Sequence, residues 1–307
     1  MRQRIAWTAA TAILLFAAAC TSAITTEPSQ TSVTPTPASP TTTPGEAELL
    51  TAEDFDPSRF DPATSAVIDH AWFPLTPGTQ AIYEGSTLED GERLARRVVI
   101  TVTDFTKVIG GVRALVTWDL DYAGDELVEA ELAFYAQDTD GYVWRMGEYP
   151  EEYEGGEFVK APGWFHGLAG ATAGIHMMAE PTAGTPSYAQ GFAPPPVDWN
   201  DRGRVYATGR STCVLLDCYD DVVIIEEFER GKPHAFQLKF YAPGVGNVRV
   251  GWRGVNEEER EVLQLVSFEH LTGAEMVDAR NEALALEAHG SQIKASLFGE
   301  LPPLEPL

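Results

Sequence analysis

The strongest structural signal in this chain is an alternation of apolar and polar residues with a period of two. In the first clear run, the apolar side consists of Val112, Ala114, Val116, Trp118 and Leu120. The polar side consists of Arg113, Thr117, Asp119 and Asp121. Such alternation is typical of a strand with one face on a core and the other in water. The pattern therefore predicts antiparallel β structure.

The same alternation recurs along the chain, with turn residues between the runs. Further strands are expected at 98–103, 128–136, 142–146, 222–229, 234–241, 248–252 and 263–268. Gly124-Asp125 and Gly231-Lys232-Pro233 are typical of the turns that join hairpin strands. About ten strands in one chain predict a mainly β fold, a curved antiparallel sheet that forms an open barrel or a sandwich.

Two segments depart from this pattern. Residues 162–200 are rich in Gly, Pro and Ala, which predicts a long irregular connection of the kind that often carries function. Thr272 and Glu275 form a T-x-x-E capping box, and a helix over 275–289 is expected to pack on the sheet. The predicted apolar stripe of this helix consists of Val277, Leu284 and Ala288, with Met276 and Ala283 beside it.

Residues 1–19 are typical of an export signal, because Arg2 and Arg4 precede an apolar stretch that ends in three alanines. Cys20 follows directly and resembles the lipidated cysteine of a bacterial lipobox. We expect a lipid on Cys20 to anchor the protein to the outer face of the cytoplasmic membrane. Ala17 stands where a lipobox usually has Leu, so plain secretion after an Ala-x-Ala cut is the alternative.

The rest of the chain divides by composition. Residues 20–49 are predicted to be a disordered linker, because 18 of the 25 residues from 21 to 45 are Ser, Thr or Pro. Residues 50–271 are expected to form the β domain, and 272–307 the C-terminal helix and tail. The net charge is −25, and 46–307 contains 45 acidic against 19 basic residues. This charge repels phosphate backbones and excludes nucleic acid as a partner.

Three stretches resemble signatures of an uncharacterised family of exported bacterial proteins, many of them lipoproteins. The stretches are WFPLTPG at 72–78, FYAQDTDGYVW at 134–144 and FYAPGVG at 240–246. The resemblance covers about residues 70–267 and implies export, but it transfers no activity to named residues. The chain departs from the family at 213–218, where relatives tend to have a Pro-aromatic-Gly turn.

Cys213 and Cys218 are predicted to form a disulfide, because an exported protein meets oxidising conditions and four residues separate them at a hairpin tip. The alternative is a redox-active pair. The C-x4-C spacing disfavours it, since it lacks the C-x-x-C arrangement that lowers a thiol pKa.

The stretch from Asp138 to Gly141 resembles part of a calcium-binding loop, with Asp138, Asp140 and Glu148 as candidate ligands. The alternative is an ordinary hairpin turn, for which Asp-Gly is equally typical. No cofactor other than calcium is suggested by the sequence.

A set of aromatic residues forms the candidate ligand-binding site on the concave face of the sheet: Trp72, Phe73, Trp144, Trp164, Phe165 and Tyr188. The sequence lacks G-x-S-x-G and phosphate-loop motifs, so the favoured function is non-enzymatic. We expect a cell-envelope lipoprotein that binds a small or hydrophobic ligand or a partner protein. The alternatives are a structural or interaction domain without a cavity, and a carboxylate-based hydrolase with two acids converging in a cleft.

Overall fold

The structure is a computed structural model that describes residues 53–89, 91–258 and 260–307. The predicted signal peptide, Cys20 and the linker at 20–49 lie outside the described residues. All the described residues belong to one compact unit. Within the described ranges, no helix is both long enough and apolar enough to cross a membrane.

Strands dominate the chain, as the alternating pattern predicts. In chain order they are β1 (Thr79–Glu89), β2 (Glu92–Ile109), β3 (Val112–Ala123), β4 (Glu126–Gln137), β5 (Val143–Glu154), β6 (Glu157–Lys160), β7 (Trp164–Phe165), β8 (Thr172–Met177), β9 (Tyr188–Ala189), β10 (Gly191–Phe192), β11 (Asp201–Cys213), β12 (Cys218–Glu229), β13 (Phe236–Ala242), β14 (Gly246–Arg253), β15 (Val262–His270) and β16 (Glu305–Pro306). A 3-10 turn, Pro57–Arg59, precedes them, and the helices are α1 (Gly273–Ile293) and α2 (Ala295–Phe298).

Thirteen of these strands form one antiparallel sheet that curves into a nearly closed barrel. Their order around the sheet is β10-β8-β5-β4-β3-β2-β1-β15-β14-β13-β12-β11-β9. Only Gln190 separates the two end strands, β9 and β10, along the chain. The two edges of the sheet therefore lie close together, and of the two predicted architectures the barrel is confirmed.

The β2–β3 hairpin shows how local sequence turns the chain. Gly110 and Gly111 connect the strands with φ angles of +57° and +83°. A two-residue turn with both φ angles positive matches the twist of antiparallel strands, and glycine adopts it without steric cost.

A bulge in β2 bends the long strand around the barrel. The pairing of β2 with β3 shifts between Val102 and Thr106. The hydroxyl of Thr103 donates to the carbonyl of Val116 at 2.7 Å and accepts from the amide of Phe105 at 3.1 Å. These two bonds satisfy backbone groups where the strand ladder is interrupted, which allows the sharper curvature.

The two faces of the sheet are both covered, which differs from the prediction of one face in water. The outward face of β3 and β4, with Val116, Leu132 and Phe134, packs under α1, α2 and the residues before β1. The inward face carries the predicted polar residues Thr117 and Asp119 of β3, together with Glu131 of β4. The alternation predicted the strands correctly, but the polar face was expected to lie in water and instead lines the barrel interior.

Helix α1 begins as predicted and packs through a different face. The hydroxyl of Thr272 accepts from the Glu275 amide, and the Glu275 carboxylate accepts from the Thr272 amide, which completes the capping box. The predicted stripe is wrong, because Val277, Leu284 and Ala288 are exposed. The buried face consists of Met276, Ala279, Ala283, Leu286, Glu287 and Gly290.

The segment 162–200 contains β7, β8, β9 and β10, so the prediction of an irregular connection is only partly correct. These short strands bring the ends of the sheet together. A Cβ on Gly174 of β8 would lie 2.1 Å from the amide nitrogen of Gly191 in β10. Because no side chain fits in that gap, glycine at 174 permits the contact.

Candidate functional site in the barrel interior

The candidate site is a cavity of about 220 Å³ inside the barrel. Nine strands contribute to its wall: β1, β2, β3, β4, β5, β8, β13, β14 and β15. The segment 73–75, which precedes β1, lines it as well. Partly exposed lining residues, among them Phe73, Val245 and Phe268, mark its opening to the outside.

The wall is divided between apolar and charged residues. The apolar residues include Leu75, Ala81, Ile100 and Val102. The polar and charged residues include Thr117, Asp119, Glu131, Arg145, His176 and Lys239. A cavity of this composition suits a small molecule with an apolar part and a few polar groups.

Both cations in the wall have acidic partners of their own. The guanidinium of Arg145 donates to Glu148 at 2.6 Å and to the Tyr135 hydroxyl at 2.9 Å. The ammonium of Lys239 lies 2.7 Å from a carboxylate oxygen of Glu227. Burial favours the neutral form of Glu227, but the nearby Lys239 ammonium outweighs this effect and lowers the pKa of Glu227 below its usual range. These contacts engage both cations before any ligand is considered.

Asp119 and Glu131 form a pair of acids in the same wall. They lie directly opposite each other on β3 and β4. Burial raises the pKa of Asp119 well above its usual range, and the neighbouring Glu131 raises it further. Burial also raises the pKa of Glu131, against the opposing effects of Arg145 and Lys239. Two adjacent acids in a desolvated site do not both ionise easily, so the pair favours its protonated forms more than exposed carboxyl groups do.

Several polar atoms of the lining residues are buried without a hydrogen-bond partner among the described residues. They are Thr117 Oγ1, Asp119 Oδ1, Glu131 Oε1 and His176 Nε2. The Thr117 and His176 residues are only 1% and 6% exposed. Burial, together with Arg145 and Lys239, lowers the pKa of His176 well below its usual range, which keeps the ring neutral. The residues of the wall thus contain buried polar atoms that the described part of the chain leaves unsatisfied.

The inward acidic row continues along the same two strands. Asp121 lies opposite Glu129, and its carboxylate forms a salt bridge with Arg96. Burial raises the pKa of Glu129 to about 8, and the acids around it contribute to the shift.

The six predicted aromatic residues do not form one surface. Phe73 lines the cavity, where its ring centroid lies 5.3 Å from that of Tyr135 and 4.4 Å from that of His176. Trp144 and Phe165 belong to the core on the outward face of the sheet. The cavity wall does not include the other three aromatic residues, which are Trp72, Trp164 and Tyr188.

The predicted calcium ligands do not come together either. The carboxylate of Asp138 forms a salt bridge with Arg59 at 2.6 Å and accepts from the Trp144 indole at 3.0 Å. It also accepts from the Asp140 amide at 3.0 Å, as in an ordinary turn. Glu148 is paired with Arg145 inside the barrel. Among the described residues, no group of three or more His, Cys, Asp or Glu side chains is placed to hold a metal ion.

The predicted disulfide is confirmed. Cys213 and Cys218 are bonded at the tip of the β11–β12 hairpin, with Cα atoms 4.0 Å apart. The disulfide lies at a hairpin turn, and neither of its cysteines lines the cavity.

Sequence reasoning missed the polar residues of the cavity wall. Asp119 and Glu131 were visible as the polar side of two alternating runs, but such a side is ordinarily exposed to water. The signal that could have found them is the pairing of the runs as neighbouring hairpin strands. That pairing places two acids opposite each other, an unfavourable arrangement in a simple exposed sheet.

The three stretches that resemble family signatures meet at this cavity. The first contributes Phe73 and Leu75, the second contributes Tyr135, and the third contributes Tyr241 and Gly246. Segments far apart in the sequence thus share one site.

Comparisons with known proteins do not identify a family for this chain. No protein-family model matches it, and no curated protein matches it. Two solved structures are similar: a presumed exported protein with a YmcC-like fold from Bacteroides fragilis and a presumed lipoprotein from Parabacteroides distasonis. The first is 12% identical with a TM-score of 0.30, covering 65% of this chain and 99% of its own. The second is 14% identical with a TM-score of 0.29, covering 65% and 98%. At these scores the likeness supports no argument about fold or function.

Proposed function

We infer that this protein binds a small amphipathic molecule in the interior of its barrel, at the cell envelope. The observation that carries this proposal is the cavity itself, whose lining residues combine apolar surface with buried polar atoms that have no partner in the described part of the chain. A purely structural domain has no use for such groups, because a buried polar atom without a hydrogen bond destabilises the folded protein.

The size of the cavity limits the ligand. Its volume of about 220 Å³ lies below the roughly 300–1,000 Å³ of pockets that take drug-sized molecules. The occupant is therefore a small metabolite-sized molecule and not a lipid with a long acyl chain.

The envelope location rests on the sequence and the disulfide. Residues 1–20 have the pattern of an export signal followed by a lipidated cysteine. The bond between Cys213 and Cys218 suits the oxidising conditions outside the cytoplasm.

Native mass spectrometry tests the proposal on the full chain, produced with its own export signal in a bacterial host. Val245 lines the opening, so Val245→Trp should block the cavity, whereas Val255 is 84% exposed elsewhere and Val255→Trp serves as control. We expect a small-molecule adduct on the wild type and on Val255→Trp, and none on Val245→Trp. An adduct that is equally abundant on all three proteins, or no adduct at all, would contradict the proposal.

A second candidate function is a carboxylate-based hydrolase. The opposed acids Asp119 and Glu131 favour it, because they converge in a cavity and both have raised pKa values. Chromogenic glycosides and esters test this function. Hydrolysis by the wild type that is lost in Asp119→Asn would support an enzyme.

A further inference from the structure

We propose that the ligand of the barrel carries an ammonium group, which binds between the side chains of Asp119 and Glu131. This inference rests on the proposed binding function and names the chemical class of the ligand. The remainder of the molecule is apolar and lies against the opposite part of the wall.

The sheet places two carboxylic acids opposite each other in the cavity wall. Residues directly opposite on antiparallel strands have Cβ atoms about 4.5–5.5 Å apart. Asp119 and Glu131 are such a pair, and both line the cavity. Asp119 Oδ1 and Glu131 Oε1 are buried and lack a hydrogen-bond partner among the described residues. An ammonium group has three donors and can serve both oxygens at once.

The balance of charge around the cavity also favours a cation. The wall and the groups paired to it contain four acids (Asp119, Glu131, Glu148 and Glu227) and two bases (Arg145 and Lys239). The bases form their salt bridges with Glu148 and Glu227, and they also lower the pKa of Asp119 and Glu131, so the acids outnumber the bases around the cavity by two.

The remaining titratable groups that face this pair do not change that balance. They are Tyr83 on β1, Glu129 and Tyr135 on β4, neutral His176 on β8 and Tyr241 on β13. Burial raises the pKa of each of the three tyrosines above its usual range, so the tyrosines are neutral. Glu129, whose pKa burial raises to about 8, adds a further acid and no positive charge.

Ammonium binding would change the protonation of this pair. Burial raises the pKa of both Asp119 and Glu131, and repulsion by Glu131 raises that of Asp119 further. An ammonium group between them would lower both pKa values, so binding shifts the pair toward its ionised form and releases protons.

The apolar part of the wall selects the rest of the molecule. Phe73, Ile100, Val102 and Val245 line the same cavity and offer no hydrogen-bonding side chain. A short aralkyl or alkyl amine matches this division between an acidic and an apolar region.

Isothermal titration calorimetry with the full chain at pH 7.5 tests the inference. The probes are 2-phenylethylamine, 2-phenylethanol and phenylacetate, which share an apolar body and differ in charge. We expect the amine to bind at least about tenfold more tightly than the alcohol, as hydrogen bonds to charged groups imply. Asp119→Asn and Glu131→Gln should abolish that preference. Glu282→Gln, a change on the exposed face of α1, should leave it unchanged.

Titrations of the wild type in buffers with different ionisation enthalpies provide a readout that needs no variant. We expect the amine, and not the alcohol, to release a proton on binding. Tighter binding of the alcohol or of phenylacetate would overturn the ammonium inference and leave the binding function standing. Failure of all three probes to bind would also overturn the ammonium inference. If mass spectrometry then detected no small-molecule adduct, the proposed binding function would be overturned as well.

Discussion

At the scale of single residues, the barrel interior is defined by acids that are kept from ionising. Water would stabilise the charged form of Glu129 or Asp119, but the strands on either side exclude it. The neutral form therefore persists at pH values where an exposed carboxyl group is fully charged. This arrangement lowers stability at neutral pH, and we interpret it as the consequence of a binding site.

The pH dependence of stability follows from the raised pKa of Glu129. Its folded-state pKa of about 8 exceeds the unfolded value, so the folded state holds the proton that the unfolded state has lost. Stability then falls as pH rises through the neutral range, until the folded form also ionises. We expect the melting temperature to fall by a few degrees between pH 6.5 and pH 8. The histidines whose burial lowers their pKa have the opposite effect, which fades above their usual value of about 6.5, so the fall is clearest above about pH 7.

The variant Glu129→Gln should reduce that dependence, because it removes one of the buried acids with a raised pKa. Glu282→Gln is the matched control and should keep the wild-type slope. Differential scanning calorimetry at pH 6.5, 7.2 and 8 measures all three proteins. A melting temperature that rises over this range in the wild type would show that the acidic row is not desolvated.

At the scale of elements, helix α1 is held against the outer face of the barrel by a buried ion pair. The ammonium of Lys107 on β2 donates to Glu287 at 2.6 Å and to the carbonyl of Pro302 at 2.8 Å. The same carboxylate accepts from the Leu304 amide at 3.0 Å. Glu287 therefore connects the sheet, the helix and the C-terminal tail.

Removal of one partner from this pair should be strongly destabilising. We expect Glu287→Ala to lower the free energy of unfolding by roughly 3–5 kcal/mol, because it leaves the Lys107 ammonium buried and uncompensated. Arg280→Ala is the comparison, since it breaks a more exposed pair with Asp104 and should cost no more than about 1 kcal/mol. Urea unfolding measures both values. Equal costs would contradict the anchoring role of Glu287.

The contact between β8 and β10 is equally sensitive to a single substitution. Alanine at Gly174 would place its Cβ 2.1 Å from the Gly191 amide nitrogen, so one strand must move. We expect Gly174→Ala to destabilise by roughly 1–3 kcal/mol or more. Gly273→Ala, where an added Cβ meets nothing within 4 Å, is the control and should be nearly neutral. Thermal unfolding that does not separate the two variants would argue against this closure of the sheet.

The elements also show which parts of the fold could be predicted from the sequence. The alternation around Val116 and Leu132, the hairpin at Cys213 and the capping box at Thr272 depend on neighbours in the chain, and these predictions are confirmed. The buried face of α1 was predicted wrongly. Exposed Val277 and Leu284 are more apolar than buried Glu287, whose burial depends on Lys107, 180 residues away.

At the scale of the whole molecule, closure of the sheet decides the position of the site. A strand pattern distinguishes two faces but does not tell which one becomes the inside of a barrel. Here the helices, the described residues before β1 and the C-terminal tail cover the apolar face, and the polar face with Asp119 and Glu131 turns inward. The aromatic residues were therefore expected on the wrong face: Trp144 and Phe165 pack outside, and Phe73 reaches the interior from the segment before β1.

The most direct test of this account is a crystal structure of the protein grown with 2-phenylethylamine. We predict the amine nitrogen within about 2.7–3.2 Å of carboxyl oxygens of both Asp119 and Glu131, with the ring toward Phe73. An amine bound outside the barrel, or an interior that holds only water at saturating amine, would contradict the account.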